Sequence, residues 1–369
     1  MIHPILPVAT AVAAFVDTFE TGPMGRAVRV RSFAEFQEQF GGIYPGSEAS
    51  YAVQQFFVNG GRDASIVRVP TSSRADLIGN PAEETGLFAL VDDFNLLCLP
   101  ATIQLVDKDA VEVAVAATSV CRDRRALYLL DVPQQSMPRD SPAAVTAWVN
   151  LHPALHSQDV AVYFPRVNVR QSSGDVRPTA ASGTMAGLYA RVDSAHGVWR
   201  APAGTDAKLL GVESLEHAVT DADAGALGAV GVNVLRTFPA LGTVAWGAHT
   251  FAGGNATDAA FRYVSARRLS HFVELSLLEG TAWVVLEHNA APLWAEIRQD
   301  VTAFMQSLFT SGAFQGRTPR EAYFVKCDAQ TTTVADISLG VVNVVVGFAP
   351  LKPAEFVILE IQQRVTPEN

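Results

Sequence analysis

Short apolar runs and longer helical stripes alternate along the first half of the chain. The runs predict strands over residues 8–16, 65–69, 95–99, 126–132 and 159–164, and the stripes predict helices over 32–40, 50–59, 108–122 and from 141 onward. Two helix starts carry capping signals: Glu35 follows Ser32 by three residues, and Ser141 precedes a proline. Short strands joined by helices of this length are typical of a parallel sheet covered by helices. Residues 21–244 are therefore predicted to form an α/β domain with a largely parallel sheet.

The pattern weakens in the middle of the chain and becomes regular again near its end. Residues 168–184 are rich in Ser, Gly and Pro and predict a surface excursion, and residues 201–256 give mixed signals. Beyond them the pattern predicts helices over 258–279 and 292–311 and strands over 281–287, 322–326, 339–348 and 355–362. This mixture predicts an α+β domain built mainly from the C-terminal third, residues 245–369.

The last predicted strand is apolar on both of its faces. Val357, Leu359 and Ile361 alternate with Phe356 and Ile358 close to the chain end. Such a strand is either buried within its own domain or pairs with a neighbouring chain by β-augmentation. The second interpretation predicts an inter-subunit strand formed by Phe356, Val357, Ile358, Leu359, Glu360, Ile361 and Gln362.

Composition narrows the classes of partner. The chain has 27 Lys and Arg against 37 Asp and Glu, a formal net charge of -10, which argues against nucleic acid as a partner. No stretch approaches the roughly 20 apolar residues of a membrane helix, and the N-terminus lacks the pattern of a signal peptide. The three cysteines form no CxxC pair, which favours a reducing compartment and synthesis in the cytoplasm.

Candidate catalytic and metal-binding patterns are incomplete. The segment 183–187 resembles a nucleophile elbow, but Met185 stands where the serine should be. His152 and His156 are spaced like two metal ligands on a helix, yet Pro153 separates them and no third ligand is evident. No catalytic, cofactor-binding or metal-binding residue is predicted, and a soluble α/β hydrolase-like enzyme is kept as the alternative.

Several motifs in the same order along the chain resemble the contractile tail sheath family. They are residues 9–16, 197–204, 261–269, 283–289, Leu293-Trp294 with Ile297-Arg298, 312–316, 322–328 and 347–357. The resemblance covers nearly the whole chain. The modest chain length is similar to that of the compact sheaths of extracellular contractile injection systems and R-type bacteriocins.

The resemblance implies a structural function without a cofactor. Sheath subunits form six-fold rings that stack around an inner tube protein, with baseplate and sheath-terminating cap proteins at the ends, and contract to drive the tube through a target envelope. It implies an inner domain facing the tube, joined by an N-terminal strand within residues 1–20, and an outer α/β domain. It also implies assembly in the cytoplasm and a phage-tail-like particle that can leave the cell.

Two further expectations follow from the resemblance. A helix of the inner domain should face the tube, which makes Arg298, Arg317 and Arg320 the predicted tube contacts. Sheath subunits usually carry an N-terminal arm, whereas only seven residues precede Val8 here. A non-contractile accessory protein of the same fold is therefore a third interpretation.

Overall fold

The computed structural model describes residues 3–90, 94–134, 141–171, 173–252, 259–351 and 357–365. The chain divides into two compact units. The α/β unit comprises Thr10–Ser265, and the C-terminal unit comprises Met1–Ala9 together with Ala266–Asn369. The two units confirm the predicted combination of an α/β domain and an α+β domain.

The α/β unit alternates strands and helices in the predicted manner. Its strands are β1 Ala13–Asp17, β2 Ala27–Val30, β3 Ala64–Arg68, β4 Leu96–Cys98, β5 Leu127–Leu130, β6 Val160–Phe164, β7 Val167–Arg170, β8 Val176–Thr179, β9 Ser214–Leu215, β10 Val232–Phe238 and β11 Gly242–Ala245. Its helices are α1 Phe33–Phe40, α2 Glu48–Val58, α3 Arg74–Ile78, α4 Asp107–Arg124, α5 Pro142–Leu151, α6 Ala181–His196 and α7 Asp221–Ala229.

Eight of these strands form one sheet, in the order β11-β10-β6-β5-β4-β1-β3-β2. The six central strands run parallel, and the edge strands β2 and β11 are antiparallel to their neighbours. Apolar clusters cover both faces of this sheet. Burial on both faces explains why the central strands are continuous apolar runs rather than alternating ones.

The position of β1 differs from the expectation that residues 1–20 join the C-terminal domain. β1 is fully buried and pairs in parallel with β3 on one side and β4 on the other, inside the large sheet. A strand that is apolar on both faces is stable when other elements bury both faces, and the centre of a parallel sheet covered by helices provides this burial. Only Met1–Ala9 cluster with the C-terminal unit, and the second boundary falls after Ser265 rather than after residue 244.

The segments with weak sequence signals form regular structure. The expected surface excursion contains the β7–β8 hairpin and the start of α6, and the region with mixed signals contains β9, α7, β10 and β11. Two glycines let α6 approach α2 closely: a Cβ on Gly183 would lie 2.2 Å from the Ala52 carbonyl oxygen, and one on Gly187 2.3 Å from that of Phe56. The motif that resembled a nucleophile elbow is thus a helix-packing surface.

The C-terminal unit combines helices with a three-stranded antiparallel sheet in the order β12-β13-β14. Its elements are α8 Val264–Gly280, α9 Ala291–Thr310, α10 Pro319–Ala322, β12 Tyr323–Lys326, α11 Val334–Ser338, β13 Val341–Phe348 and β14 Val357–Arg364. The apolar stripe of α9 is buried, as its periodicity predicted. The strand expected over 281–287 is instead a short 3-10 helix, Ala282–Leu286. A short apolar run does not by itself distinguish a strand from a helical turn.

The N-terminal residues pack along the helices of the C-terminal unit. The backbone N–H of Val8 donates to the Ser276 hydroxyl over 3.2 Å, and that of His3 donates to the Asp300 carboxylate over 3.3 Å. Ile5 is buried between these contacts.

One segment, Val264–Leu286, is long and apolar enough by composition to cross a membrane. Half of the most apolar 18-residue stretch of this segment is buried inside the protein. Core helices of soluble proteins also reach this length and apolar content, so the segment is weak evidence for a membrane span.

Candidate assembly surface

β14 contains the predicted inter-subunit residues and pairs with β13 of its own chain. The antiparallel register runs without interruption from Val357 opposite Phe348 to Arg364 opposite Val341. Val357, Leu359 and Ile361 are buried on one face of the sheet. Phe356, the first residue of the predicted strand, lies outside the described residues.

The structure corrects the interpretation of this strand as apolar on both faces. Ile358 is 58% exposed, and Glu360 and Gln362 on the same face are also exposed. β14 is therefore an amphipathic edge strand of its own unit rather than a strand buried on both sides. The pattern misled because Ile358 lies beside Glu360 on a solvent-facing side, and exposed apolar residues are common on protein surfaces.

The second edge of β14 is open. Within the described residues, β13 is its one strand neighbour. The backbone N–H of Val365 donates to the Gly340 carbonyl over 2.7 Å, and hydrogen-bonded pairs alternate along an antiparallel ladder. The backbone groups of Ile358, Glu360 and Gln362 therefore point away from β13. This row of donors and acceptors can pair with another strand.

The far end of β14 is fixed to α8. The side-chain amide of Gln363 donates to the Leu278 carbonyl over 2.9 Å and to the Thr281 hydroxyl over 2.7 Å. The strand is thus held by side-chain contacts as well as by its ladder with β13.

The three predicted tube-contact arginines differ in their surroundings. Arg298 on α9 is half-buried and donates to the Cys327 carbonyl over 2.7 Å, so it supports the turn after β12. Arg317 and Arg320 are exposed around the start of α10, and neither forms an ion pair in the part of the chain that is described. The structure therefore presents Arg317 and Arg320 to solvent, and it uses Arg298 in an internal contact.

The side chain of Cys327 is buried at this turn. Burial raises the pKa of the Cys327 thiol to about 12, although the charge of Arg298 acts in the opposite direction. The thiol is therefore protonated at neutral pH and unreactive.

The exposed positions of α9 carry no charged residue, and Glu296, which lies between them, is half-buried. The exposed positions are Ala291, Pro292, Ala295, Gln299, Thr302, Ala303, Ser307 and Thr310. In a protein with a net charge of -10, a helix whose exposed residues are all uncharged is a surface suited to close contact. The sequence indicated this surface, because the exposed residues of α9 lie between or beside the apolar positions of the buried stripe.

At the carboxyl edge of the parallel sheet, where α/β enzymes bind ligands, two acidic side chains are held by contacts within the protein. Asp17 ends β1 and accepts hydrogen bonds from the Ser72 and Ser47 hydroxyls and from the Ala49 backbone, at 2.6, 3.1 and 2.9 Å. Glu48 occupies the first position of α2, where an anionic ligand would sit, and is held by Arg177. Burial nonetheless raises the pKa of Asp17 above its usual value.

His152, from the candidate metal-binding pair, contacts the Asp107 carboxylate at 3.1 Å. At the start of α7, Asp223 closes a capping box with Thr220. No cluster of three or more metal-ligating side chains occurs among the described residues.

Comparisons with known proteins identify sheath proteins as similar to this chain. Residues 256–364 match the family model of the phage tail sheath C-terminal domain. No curated protein sequence matches the chain significantly. The sheath of the PVC extracellular contractile injection system in its contracted state is 25% identical, with a TM-score of 0.76, and covers 98% of this chain and 93% of that one. The contracted helical sheath of the anti-feeding prophage is 28% identical, with a TM-score of 0.76, over 98% and 95% of the two chains.

A more distant structure shares the fold. The sheath tail protein of Desulfitobacterium hafniense is 11% identical, with a TM-score of 0.66, over 97% of both chains. The likeness therefore extends through both units, and the family match covers most of the C-terminal one together with the last ten residues of the α/β unit. Residues 256–364 thus match the phage tail sheath C-terminal domain, and nearly the whole chain is similar to contractile sheath structures.

Proposed function

We infer that this chain is a structural subunit that polymerises into a contractile sheath. The observation that carries the inference is the likeness to two contracted sheaths, each at 25% identity or more and over 98% of this chain. The chain is accordingly a structural protein, and the hydrolase alternative is wrong. Contraction requires two discrete packings of the same subunits, with the contracted one lower in free energy.

The polymer link that we propose is the segment Phe356–Gln362. In the monomer, Val357, Leu359 and Ile361 pack on their own unit and β14 pairs with β13. The same contacts can form between β14 of one chain and β13 of the next, in the same register. Such strand exchange keeps every backbone hydrogen bond while the subunits move about the connection, which suits a lattice that rearranges.

A paired-cysteine experiment tests strand exchange directly. Asn343 and Gln362 lie opposite each other in a pair that does not share backbone hydrogen bonds, where side chains come closest. In the double variant Asn343→Cys with Gln362→Cys, oxidation of assembled sheaths should give a ladder of covalently linked chains on a denaturing gel. The same oxidation of the monomer should give single chains with an internal disulfide.

The matched controls are the two single-cysteine variants. They should not form the ladder, because the three native cysteines are buried and cannot pair with the introduced thiol. Tubes that oxidise fully to internal disulfides would show that β14 stays with its own chain. In that case the open edge of β14 becomes the better candidate for the link.

The partners that we propose are further copies in six-fold stacked rings, an inner tube protein, and baseplate and sheath-terminating cap proteins. A likeness to the baseplate structure of the anti-feeding prophage supports this, at 28% identity and a TM-score of 0.75. The C-terminal unit would be the inner domain and the α/β unit the outer one. Assembly in the cytoplasm, followed by release of a phage-tail-like particle, fits these proposals.

The tube contact that we propose lies on the exposed face of α9 and on the segment with Arg317 and Arg320. The uncharged exposed residues of α9 permit close approach, and exposed arginines can bind acidic groups on a partner. Arg298 contributes less, because its guanidinium already serves the turn at Cys327.

A further inference from the structure

A buried carboxylate at the carboxyl edge of the parallel sheet holds the start of α6. Asp131 directly follows β5 and is 5% exposed, and its Oδ1 accepts a hydrogen bond from the Ser182 backbone N–H over 3.0 Å. Ser182 is the second residue of α6, so the carboxylate satisfies a backbone donor at the positive end of the helix dipole. Asp131 thereby ties β5 to α6.

The other oxygen of this carboxylate is poorly satisfied. Oδ2 is buried and has no hydrogen-bond partner in the described part of the chain. The Ser182 hydroxyl lies close enough to stabilise the charge, but neither atom meets the geometry of a hydrogen bond. Asp131 also lines a cavity of about 20 Å³, close to the space of one water molecule. A buried carboxylate in such surroundings is costly when ionised, and protonation removes its charge.

The charged groups around Asp131 do not neutralise it. Glu48 at the start of α2 carries the same charge and disfavours a second carboxylate nearby. Arg166 lines the same cavity, but Glu216 already accepts two hydrogen bonds from its guanidinium, at 2.6 and 2.7 Å. The other titratable neighbours are the Cys98 thiol on β4 and the hydroxyls of Tyr128 on β5 and Tyr163 on β6. Burial raises the pKa of Cys98 and of Tyr128 well above their usual values, so both stay neutral.

The start of α6 is coupled to the rest of the unit by close packing. Gly183 follows Ser182 and lies directly against the backbone of α2 at Ala52. A change in the hydrogen bonding of Ser182 therefore acts at a closely packed helix pair of the α/β unit.

We propose that Asp131 is a proton-binding site that sets the stability of the α/β unit, because the neutral carboxyl group suits this buried position better than the carboxylate. The proposal concerns a single chain and does not depend on assembly.

The direction of the pH effect follows from where the proton binds more tightly. Burial raises the pKa of Asp131 from 3.8 to about 6, against the opposing hydrogen bonds at Ser182. The folded chain therefore binds more protons than the unfolded chain between these two values. The contribution of Asp131 to stability is fully present below the unfolded value and is lost as the pH rises through about 6.

Urea unfolding of the wild type and of Asp131→Asn tests this. Asparagine keeps an oxygen acceptor for Ser182 and carries no charge. Relative to the variant, the unfolding equilibrium constant of the wild type should be about tenfold lower near pH 5 than near pH 7.5. Near pH 7.5 the variant should be the more stable protein. An identical pH dependence of the two proteins would overturn the proposal.

Two further measurements keep the test decisive. Asp223→Asn is the matched control: Asp223 is partly exposed and hydrogen bonds from Thr220 lower its pKa, so no such difference should appear across this pH range. Direct titration of the carboxyl carbons by NMR in the wild type needs no variant. A buried aspartate that titrates near pH 6 and whose signal is missing in Asp131→Asn supports the proposal, and a midpoint near 4 for Asp131 contradicts it.

Discussion

At the scale of single residues, the glycines of α6 show how a side chain that is absent can organise a fold. Gly183 and Gly187 are spaced one helical turn apart and face α2. Their lack of a Cβ allows the two helix backbones to touch, which a larger residue would prevent. The sequence shows these glycines but not the helix that they pack against.

We expect Gly183→Ala to destabilise the α/β unit by about 1–3 kcal/mol, since its methyl group would overlap the Ala52 backbone. Chemical denaturation measures this. Gly225→Ala is the matched control, because Gly225 lies in the exposed helix α7 with no atom within 4 Å of a built Cβ. The control should gain about 0.5–1 kcal/mol from the better helix propensity of alanine. Equal effects at the two sites would exclude close packing as the reason for Gly183.

At the scale of secondary-structure elements, β14 is the strand that we propose links one subunit to the next. Its pairing with β13, its open edge and its amphipathic faces make it complete within one chain and available to a second. Removing it eliminates both the strand that would be exchanged and the edge that could pair with a neighbour.

Deletion of the residues after Pro353 should give a soluble monomer that forms no tubes, because neither strand exchange nor edge pairing can occur without β14. Electron microscopy and sedimentation of the purified protein measure assembly, and circular dichroism establishes that the α/β unit is still folded. A chain that ends at Val365 keeps the whole of β14 and should assemble normally. Normal tubes from the longer deletion would refute the role of this segment.

At the scale of the whole molecule, exposed arginines occur in both units and provide a matched comparison. The protein is acidic overall, yet Arg317 and Arg320 stand exposed in the C-terminal unit. Arg26 and Arg31 are likewise exposed, but they belong to the α/β unit, which we propose faces outward.

The double reversal Arg317→Glu with Arg320→Glu should weaken binding to the inner tube protein by about tenfold or more, with the larger loss at low salt. The double reversal Arg26→Glu with Arg31→Glu changes the net charge equally and should bind as the wild type does. Co-sedimentation with preformed tubes measures both. Unchanged binding by the first variant would place the tube contact elsewhere.

Much of the fold could be predicted because its signals are local. The strands of the parallel sheet, the capped helices α1 and α5 and the buried stripe of α9 each depend on a short stretch of sequence. The C-terminal sheath motifs are local as well, and the family match over 256–364 falls where they were found.

The remaining features of the fold could not be predicted, because they depend on contacts between segments that are distant in the sequence. β1 was apolar enough for either domain, and only its pairing with β3 and β4 decided which one it joins. The hydrophobicity of β14 was evident, but its position at an edge depends on the order of three strands. The charge of Arg298 was visible, whereas its partner, the Cys327 carbonyl, became adjacent only on folding.

By itself the sequence determined which segments are strands and helices over most of the chain, and it carried the motifs of the family, since both are properties of consecutive residues. Tertiary structure alone decided which unit each segment joins, which strand edge stays open and which carboxylate is left buried at the start of α6. Those outcomes depend on the neighbours that remote segments bring, and on the solvent that these neighbours exclude.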